Sequence, residues 1–469
     1  MRFHVVTLGC DKNTVDSERY VAELTAYGAV QATAPEEAEL IVVNTCGFID
    51  AAKKESLDAI LEAASLKGSG SCKMVAAVGC MVERHKGELR DALPEVDLFL
   101  GTTETDRLIA EVEARGLLAD APLTLHPGVR LYTGDLPHVR YLKISEGCDH
   151  GCAFCAIPLM RGKHRSFGSR SLVGEAQLLE AQGAREVNLV AQDLAHYGRD
   201  VPGGQALPEL LRALLAETSI PWFRLLYIYS AGLTDAMLEL LAHEPRIVRY
   251  LDIPMQHAAD SVLARMRRPE RRVRQLDKVR RIRAAIPDIA IRSTVIVGFP
   301  GETDEEFASL LDFLEEIQLE RVGAFAYSPQ EGTRAYAMED DVPDELKRER
   351  LERVQELQRI ISAERYEAMV GHSTQAIIDR RPADGMPAQG RISAQADDID
   401  GVTWMDSSIA PGSIVEVTLD AVVDDYDFQA TAGRLLHAAP QHGPRSPGRA
   451  LPVTGGVGSQ AAYGRPFSR

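Results

Sequence analysis

Residues 147–155 read GCDHGCAFC and contain three of the seven cysteines of the chain. Cys148, Cys152 and Cys155 are spaced C-x3-C-x2-C, so one short loop can present three thiols to a single metal centre. Thiolates hold iron–sulfur clusters, and three of them leave the fourth iron of a cubane open to another ligand. The stretch therefore predicts an iron–sulfur site with one open iron.

A structural zinc site is the alternative interpretation of the same loop. Zinc in such sites takes four protein ligands in a closed tetrahedral shell. His150 or His164 would have to supply the fourth ligand. Because a cluster with an open iron needs only the three thiolates, iron–sulfur is the favoured interpretation.

Three of the other cysteines each follow an apolar segment near the start of the chain. Apolar strands alternate with amphipathic helices over residues 1–115, which predicts an open parallel sheet with helices on both faces. Cys10, Cys46 and Cys80 fall where predicted strands end, and ligands bind at that edge of a parallel sheet. We expect these thiols to converge on a second site. Cys72 lies in a Gly/Ser-rich loop outside this pattern and is predicted to be incidental.

Three further segments follow a connector rich in proline and glycine. Over residues 134–368 the βα alternation resumes and predicts a complete or partial β/α barrel, whose active site would lie at the carboxyl ends of its strands. Short strands divided by Gly and Pro turns in residues 371–437 fit a small five-stranded β-barrel. Residues 438–469 are rich in Gly, Pro and Arg and are predicted to be disordered. The fold class is therefore α/β with a small terminal β-barrel.

The composition and net charge of the chain restrict its cellular location and its binding partners. No apolar stretch approaches the ~18 residues of a transmembrane helix, and MRFHVVTLGC lacks the apolar region of a signal peptide. We therefore expect a cytoplasmic protein without membrane contact. The net charge of −17 has the wrong sign for a protein that binds phosphate backbones over its whole surface.

The cysteine loop, with Phe154 just before its last cysteine, resembles that of the radical S-adenosylmethionine (SAM) superfamily. The resemblance implies that the open iron binds the amino and carboxylate groups of SAM, and that reductive cleavage of SAM gives a 5′-deoxyadenosyl radical. TVIVGFPGETDEEF (294–307) resembles the turn that approaches the adenine of SAM, which makes Gly298 and Gly301 candidate cofactor residues. A strand-to-helix turn capped by Thr303 explains the same residues without a cofactor.

The order of the segments resembles the methylthiotransferase family over roughly residues 1–436. In that family the N-terminal cysteines hold a second [4Fe-4S] cluster, also with an open iron. The resemblance thus implies two [4Fe-4S] clusters and SAM as cofactors. It assigns one cluster to Cys10, Cys46 and Cys80 and the other to the C-x3-C-x2-C loop.

Within the family, two branches differ in their motifs. The tRNA-modifying branch typically reads GCQMN around its first cysteine, where this chain reads GCDKN. Five segments resemble instead the branch that methylthiolates an aspartate of the twelfth small-subunit ribosomal protein: 8–20, 44–60, 141–166, 250–258 and 321–333. Asp11 and Phe167–Gly168 depart from the residues usual in that branch, but neither is a ligand position.

The resemblance implies a reaction that consumes SAM both as methyl donor and as radical source. A C–H bond beside a carboxylate is too weakly acidic for ordinary side-chain bases, so no acid–base residue is assigned. The expected partners are a basic ribosomal protein and an electron donor, with RNA contact only within the ribosome, and the chain is expected to be a monomer. A tRNA adenosine methylthiotransferase and a non-catalytic iron–sulfur scaffold or redox carrier remain as alternatives.

The terminal β segment resembles a TRAM domain, commonly an RNA-binding fold, but it is acidic. Residues 367–434 contain twelve acidic and four basic residues. Such a surface repels phosphate and attracts a lysine-rich protein. Asp397–Asp400 and Asp424–Asp427 are expected to lie in loops that face this partner.

Overall fold

The structure is a computed structural model that describes residues 1–118 and 129–440. Most of the segment predicted to be disordered lies outside the described residues. Four sheets build the described chain: a five-stranded sheet, a six-stranded sheet, a closed five-stranded barrel and a small two-stranded sheet. The α/β class and the small terminal barrel are thereby confirmed.

The first sheet is wholly parallel, with strand order β2-β1-β3-β4-β5. Its strands are β1 (Arg2–Thr7), β2 (Val30–Gln31), β3 (Leu40–Thr45), β4 (Met74–Gly79) and β5 (Leu98–Leu100). The accompanying helices are α1 (Asp11–Ala26), α2 (Asp50–Ser69), α3 (Cys80–Ala92) and α4 (Arg107–Ala114). Every residue of β3 and β4 is buried, as expected for strands covered by helices on both faces.

The second sheet contains six parallel strands in chain order, and it forms an open partial barrel rather than a closed one. The strands of this region are β6 (Val139–Lys143), the short antiparallel pair β7 (Ser145–Glu146) and β8 (Arg165–Ser166), β9 (Glu186–Val190), β10 (Trp222–Leu225), β11 (Ile247–Asp252), β12 (Ala290–Val297) and β13 (Arg321–Ala326). Its helices are α5 (Ile157–Arg161), α6 (Ser169–Ala181), α7 (Leu207–Glu217), α8 (Asp235–His243), α9 (Asp260–Arg265), α10 (Arg272–Ala285), α11 (Asp304–Ile317) and α12 (Asp344–Glu367). The largest apolar core lies between this sheet and its helices.

The closed barrel has strand order β14-β15-β16-β18-β17. Its strands are β14 (Ser373–Arg380), β15 (Ala388–Ile392), β16 (Thr403–Met405), β17 (Ile414–Val423) and β18 (Asp427–His437). Closure leaves no unpaired sheet edge, which suits a module of this size. Asp424 lies in the exposed turn between the last two strands, as the sequence predicts.

The other acidic segment, Asp397–Asp400, is a turn as predicted, but the expectation that its acids all face a partner was wrong. The carboxylate of Asp400 is buried and accepts hydrogen bonds from the Tyr250 hydroxyl at 2.8 Å and from Arg321 Nε at 3.2 Å. Both partners belong to the partial barrel. Within Asp397–Asp400 only Asp398 is exposed. A buried carboxylate needs a cation and donors around it, and here the partial barrel supplies them.

A second buried carboxylate joins the same two units. Asp379 is 2.7 Å from Arg391 Nε and 2.8 Å from His138 Nε2. Arg391 also contacts Glu186 of β9 at 2.8 Å. Part of the excess acidity of the barrel therefore stabilises its packing against the partial barrel and is not available to a partner.

No helix in residues 1–118 or 129–440 combines the length and apolar character needed to cross a bilayer.

Candidate active site

The C-x3-C-x2-C loop lies between β7 and β8, whose pairing brings its two ends together. Cys148 donates its backbone N–H to the carbonyl of Gly162 at 3.1 Å. Gly147 has φ +76° and lies very close to the segment just before β8. A Cβ on this residue would be 2.1 Å from the Lys163 carbonyl oxygen. Only glycine permits so close an approach of the two ends of the loop. Residues within and next to the loop therefore determine its conformation.

The three thiols of the loop face one another. Burial above all, with a further contribution from the neighbouring Cys152, raises the pKa of Cys148 to about 11 and that of Cys155 to about 12. Arg268 Nη1 lies 3.8 Å from Cys152 Sγ. Cysteines bind metals as thiolates, so a bound metal ion would displace the thiol protons. Its positive charge would also offset the repulsion between the neighbouring thiolates.

The second set of thiols comes from three separate turns of the first sheet. Cys10 precedes α1, Cys46 follows β3 and Cys80 begins α3. Burial first, and then the nearby thiol of Cys10, raises the pKa of Cys46 to about 12; burial likewise raises the pKa of Cys80 to about 11. The structure thus brings the three thiols together, as predicted.

Two glycines allow these turns to approach so closely. A Cβ on Gly9, whose φ is +93°, would lie 2.8 Å from Cys46 Cβ and 3.0 Å from its sulfur. A Cβ on Gly79, whose φ is +97°, would lie 2.4 Å from the amide oxygen of Asn44. Any other residue at these positions would be strained and would collide with the thiol-bearing turns.

Asn13 fastens the turns to one another, a role that sequence reasoning missed. Its Nδ2 donates to the Leu8 carbonyl at 2.6 Å and to the Thr45 carbonyl at 3.1 Å. The Cys80 sulfur lies 3.9 Å from Asn13 Oδ1. One amide side chain therefore contacts all three of the turns that carry the thiols.

Arg161 connects the two sets of cysteines. It lies on α5, the helix that directly follows Cys155, and its Nε donates to Cys80 Sγ at 3.2 Å. Its Nη1 contacts Asp16 at 3.1 Å and Glu146 at 3.0 Å. The side chain is 6% exposed, and Lys143 also pairs with both acids. No sequence spacing could reveal this contact, because it joins helices of two different units of the chain.

Phe154 and the turn after β12 also adjoin. Phe154 packs against the cluster that contains Phe299, which lies between the two predicted glycines. Gly298 has φ +69°, and a Cβ there would lie 2.3 Å from Lys347 Cγ; the N–H of Gly301 donates to Asp341 at 2.7 Å. Close packing and a positive φ thus account for these glycines without a cofactor, and their role toward SAM stays a prediction.

The capping of α11 is confirmed. Thr303 Oγ1 accepts from the N–H of Glu306 at 3.2 Å, and the Glu306 carboxylate accepts from the N–H of Thr303 at 3.0 Å. This reciprocal pair starts the helix directly after the glycine turn.

The two histidines of the zinc alternative are engaged elsewhere. His150 Nε2 lies 2.8 Å from Asp193, which also holds His196 Nδ1 at 2.8 Å. His164 Nε2 lies 3.1 Å from the hydroxyl of Ser166. His150, Asp193 and His196 could together hold a metal ion, but the four hydrogen bonds that Asp193 accepts already satisfy its carboxylate. This arrangement does not favour a fourth zinc ligand at the cysteines.

Buried polar atoms remain unpaired near the carboxyl ends of the barrel strands. The side-chain oxygens of Gln192, after β9, and Gln256, after β11, have no hydrogen-bond partner among the described residues. Leaving such atoms unsatisfied is costly, so this edge fits a polar ligand of the kind that SAM represents.

Cys72 is separate from both sets. It is buried in the apolar core of the first sheet, and its thiol contacts the Met74 carbonyl at 3.5 Å. Its electrostatic neighbours are Lys67 and Asp97 and not another cysteine.

Comparison with known proteins identifies the family. The Radical SAM superfamily matches residues 142–314, and the Uncharacterized protein family UPF0004 matches residues 2–101. A "Ribosomal protein uS12 methylthiotransferase RimO" from Anaeromyxobacter sp. (strain Fw109-5) is 44% identical over 433 residues, covering 91% of this chain and 92% of its own. The chain belongs to the RimO family of radical SAM methylthiotransferases.

Further relatives agree with this assignment. The RimO of Anaeromyxobacter sp. (strain K) is 43% identical over 95% of this chain and 98% of its own. That of Desulforudis audaxviator is 43% identical over 94% of this chain and 98% of its own. The family resemblance drawn from the motifs is confirmed.

Among solved structures, the radical SAM methyltransferase TsrM from Kitasatospora setae shares the fold. With cobalamin and a [4Fe-4S] cluster bound, it aligns with a TM-score of 0.51 at 14% identity, covering 70% of this chain and 73% of its own. With tryptophan and a SAM analogue bound, it aligns with a TM-score of 0.52 at 14% identity over 82% of this chain and 79% of its own. At this identity the likeness concerns the fold alone.

Proposed function

We propose that this enzyme transfers a methylthio group to the β-carbon of an aspartate of ribosomal protein uS12, using SAM both as methyl donor and as radical source. The observation that carries the proposal is the contact of Arg161, on the helix that follows the loop thiols, with Cys80 of the strand-end thiols, which supports one site served by both sets. The sequence relationship to uS12 methylthiotransferases supports the same substrate.

Two [4Fe-4S] clusters fit the two sets of thiols. The donor chemistry is correct for iron–sulfur binding, and the glycine turns let the thiol-bearing segments approach one another closely. We assign one cluster to Cys148, Cys152 and Cys155 and the other to Cys10, Cys46 and Cys80. Bound there, the clusters and SAM would supply the hydrogen-abstracting radical, the methyl group and the sulfur acceptor.

The chain itself would contribute binding, orientation and exclusion of water. Arg161 and Asn13 hold the strand-end turns in register, and Arg268 places a positive charge beside Cys152. Phe154, Gly298 and Gly301 would line the SAM site. A radical needs a dry pocket more than it needs an acid or a base, so positioning is the main task of these side chains.

The partner we propose is a basic ribosomal protein attracted by the acids of the small barrel that remain exposed. Asp384, Asp398, Asp406, Asp420 and Asp424 are all exposed. Changing the five to Asn should slow association with isolated uS12 at low salt, and the deficit should shrink as salt rises. Equal rates of association with uS12 for the wild-type enzyme and the five-Asn variant at low salt would contradict this proposal.

Several further expectations accompany the proposal. The units are assigned as residues 1–115, 134–368 and 371–437. The enzyme would act as a monomer in the cytoplasm and receive electrons from a separate donor. Analytical ultracentrifugation of the reconstituted enzyme would test the oligomeric state.

Mass spectrometry of uS12 tests the function. Cells that contain the enzyme should yield uS12 in which one aspartate carries a methylthio group in place of hydrogen, and cells without it should yield the unmodified protein. Modified adenosine in tRNA with unmodified uS12 would favour the tRNA alternative, which the uS12-directed relatives do not support.

A further inference from the structure

The interior between the two sets of thiols contains a buried cation whose charge the described residues do not pair. Lys12 lies on the first turn of α1, just after Cys10, and is 9% exposed. Its ammonium forms no ion pair and no hydrogen bond with another described residue. The contact that the structure shows is with the Tyr227 ring, whose centroid lies 5.9 Å from Nζ.

The ring under this ammonium, that of Tyr227, adjoins the other set of thiols. The residue follows β10 and adopts a left-handed backbone with φ +70°, which is unusual for a residue other than glycine. Burial foremost, and then the proximity of Cys155, raises the pKa of Tyr227. Lys12, which follows the strand-end thiol Cys10, therefore lies over a ring that adjoins the loop thiols.

The acids nearest to Lys12 do not neutralise it. Asp252, at the end of β11, is already bonded to Arg292 at 3.1 Å. Asp11 and Asp252 attract the Lys12 ammonium electrostatically, but neither forms an ion pair or a hydrogen bond with it. An ammonium removed from water and left unpaired is costly, so an anion from outside the chain would be stabilised at this position.

We propose that Lys12 is a substrate-specificity residue whose ammonium receives the side-chain carboxylate of the aspartate to be modified. This inference rests on the proposed function. The carboxylate is bonded directly to the β-carbon that reacts. A cation holding that carboxylate between the two thiol sets would therefore place the β-carbon where hydrogen is removed on one side and the methylthio group arrives from the other.

The charge requirement can be isolated by changing the substrate and the enzyme together. Reconstituted holoenzyme with SAM but no reductant is titrated with isolated uS12, and separately with uS12 whose target aspartate is changed to Asn. We expect the wild-type enzyme to bind the Asp form about 10- to 100-fold more tightly, as for a hydrogen bond to a charged group. Lys12→Met, similar in length and uncharged, should lose this preference, and Lys12→Arg should keep most of it.

Controls separate the carboxylate of the substrate from that of SAM. SAM affinity, iron content and reductive SAM cleavage should be unchanged in Lys12→Met, and Lys54→Met, at an exposed lysine of α2, should match the wild type throughout. Weakened SAM binding with an intact Asp/Asn preference would assign Lys12 to SAM and overturn the proposal.

One result is decisive even if Lys12→Met cannot be loaded with iron. Equal binding of the two uS12 forms by the wild-type enzyme overturns the inference. If wild-type enzyme also fails to modify uS12, the proposed function itself is wrong. If the wild-type enzyme modifies uS12 but binds its Asp and Asn forms equally, only the role proposed for Lys12 is wrong.

Discussion

The two sets of cysteines reach similar chemistry by different structural routes. Cys148, Cys152 and Cys155 occupy one loop closed by a two-stranded ladder, so eight consecutive residues hold the whole set. Cys10, Cys46 and Cys80 come from three turns of a parallel sheet and depend on Asn13, on close glycines and on an arginine from another unit. The loop site is therefore local in the chain, whereas the strand-end site exists only when the sheets are folded and packed together.

Removing the loop thiols should have the largest effect. Changing Cys148, Cys152 and Cys155 together to Ala should leave about four iron atoms per chain and abolish reductive cleavage of SAM, because the radical-generating cluster loses its ligands. Iron analysis and detection of 5′-deoxyadenosine measure the two outcomes. Loss of all iron, or of none, would break the comparison between two independent sites.

Removing the strand-end thiols should separate the two chemistries. With Cys10, Cys46 and Cys80 changed to Ala, reductive SAM cleavage should continue while methylthio transfer to uS12 stops. The same two assays, run beside mass spectrometry of uS12, report this. Loss of SAM cleavage in this variant would mean that the loop site depends on the other set.

Changing Arg161 should affect the strand-end site more than the loop site. Arg161→Met removes the N–H···S bond to Cys80 and leaves the half-buried Glu146 and Asp16 with Lys143 as their remaining cation, which should cost about 2 kcal/mol of unfolding free energy. Hydrogen bonds to cluster sulfurs help to set reduction potentials. In a background without the loop thiols, the remaining cluster should therefore become harder to reduce.

The matched control for Arg161 is its neighbour Lys163, which is exposed. Lys163→Met should leave both the unfolding free energy and the potential unchanged. If the two variants behave alike in redox titration and chemical unfolding, the contact between Arg161 and Cys80 does not tune the site.

Cys72 provides the smallest expected effect. Its thiol packs in the core of the first sheet and is coupled to no other cysteine. Cys72→Ala should retain the full iron content and both activities, with a destabilisation of about 1 kcal/mol from the lost packing. A variant that lost one cluster would show that the ligand assignment in the first sheet is wrong.

The sequence predicted the exposure of the acidic residues in the small barrel less well than the positions of the thiols. The sequence counts every acid of the small barrel alike, but Asp379 is buried against Arg391 and His138, and Asp400 is buried against Arg321 of the partial barrel. Asp424, in contrast, lies in an exposed turn. A charge count cannot separate acids that stabilise an interface from acids that face a partner, because the distinction depends on which residues of other units lie opposite.

The sequence by itself determined the features that are local or periodic. The C-x3-C-x2-C spacing, the alternation of strands and helices, the strand ends at Cys10, Cys46 and Cys80 and the cap at Thr303 can all be read from short windows, because each is fixed by neighbours in the chain. Only the tertiary structure decided that Arg161 contacts Cys80 and that Lys12 lies over Tyr227. Each of these contacts joins residues far apart in the chain. The packing of the units against one another decides which residues meet. No periodicity or spacing in the sequence indicates that packing.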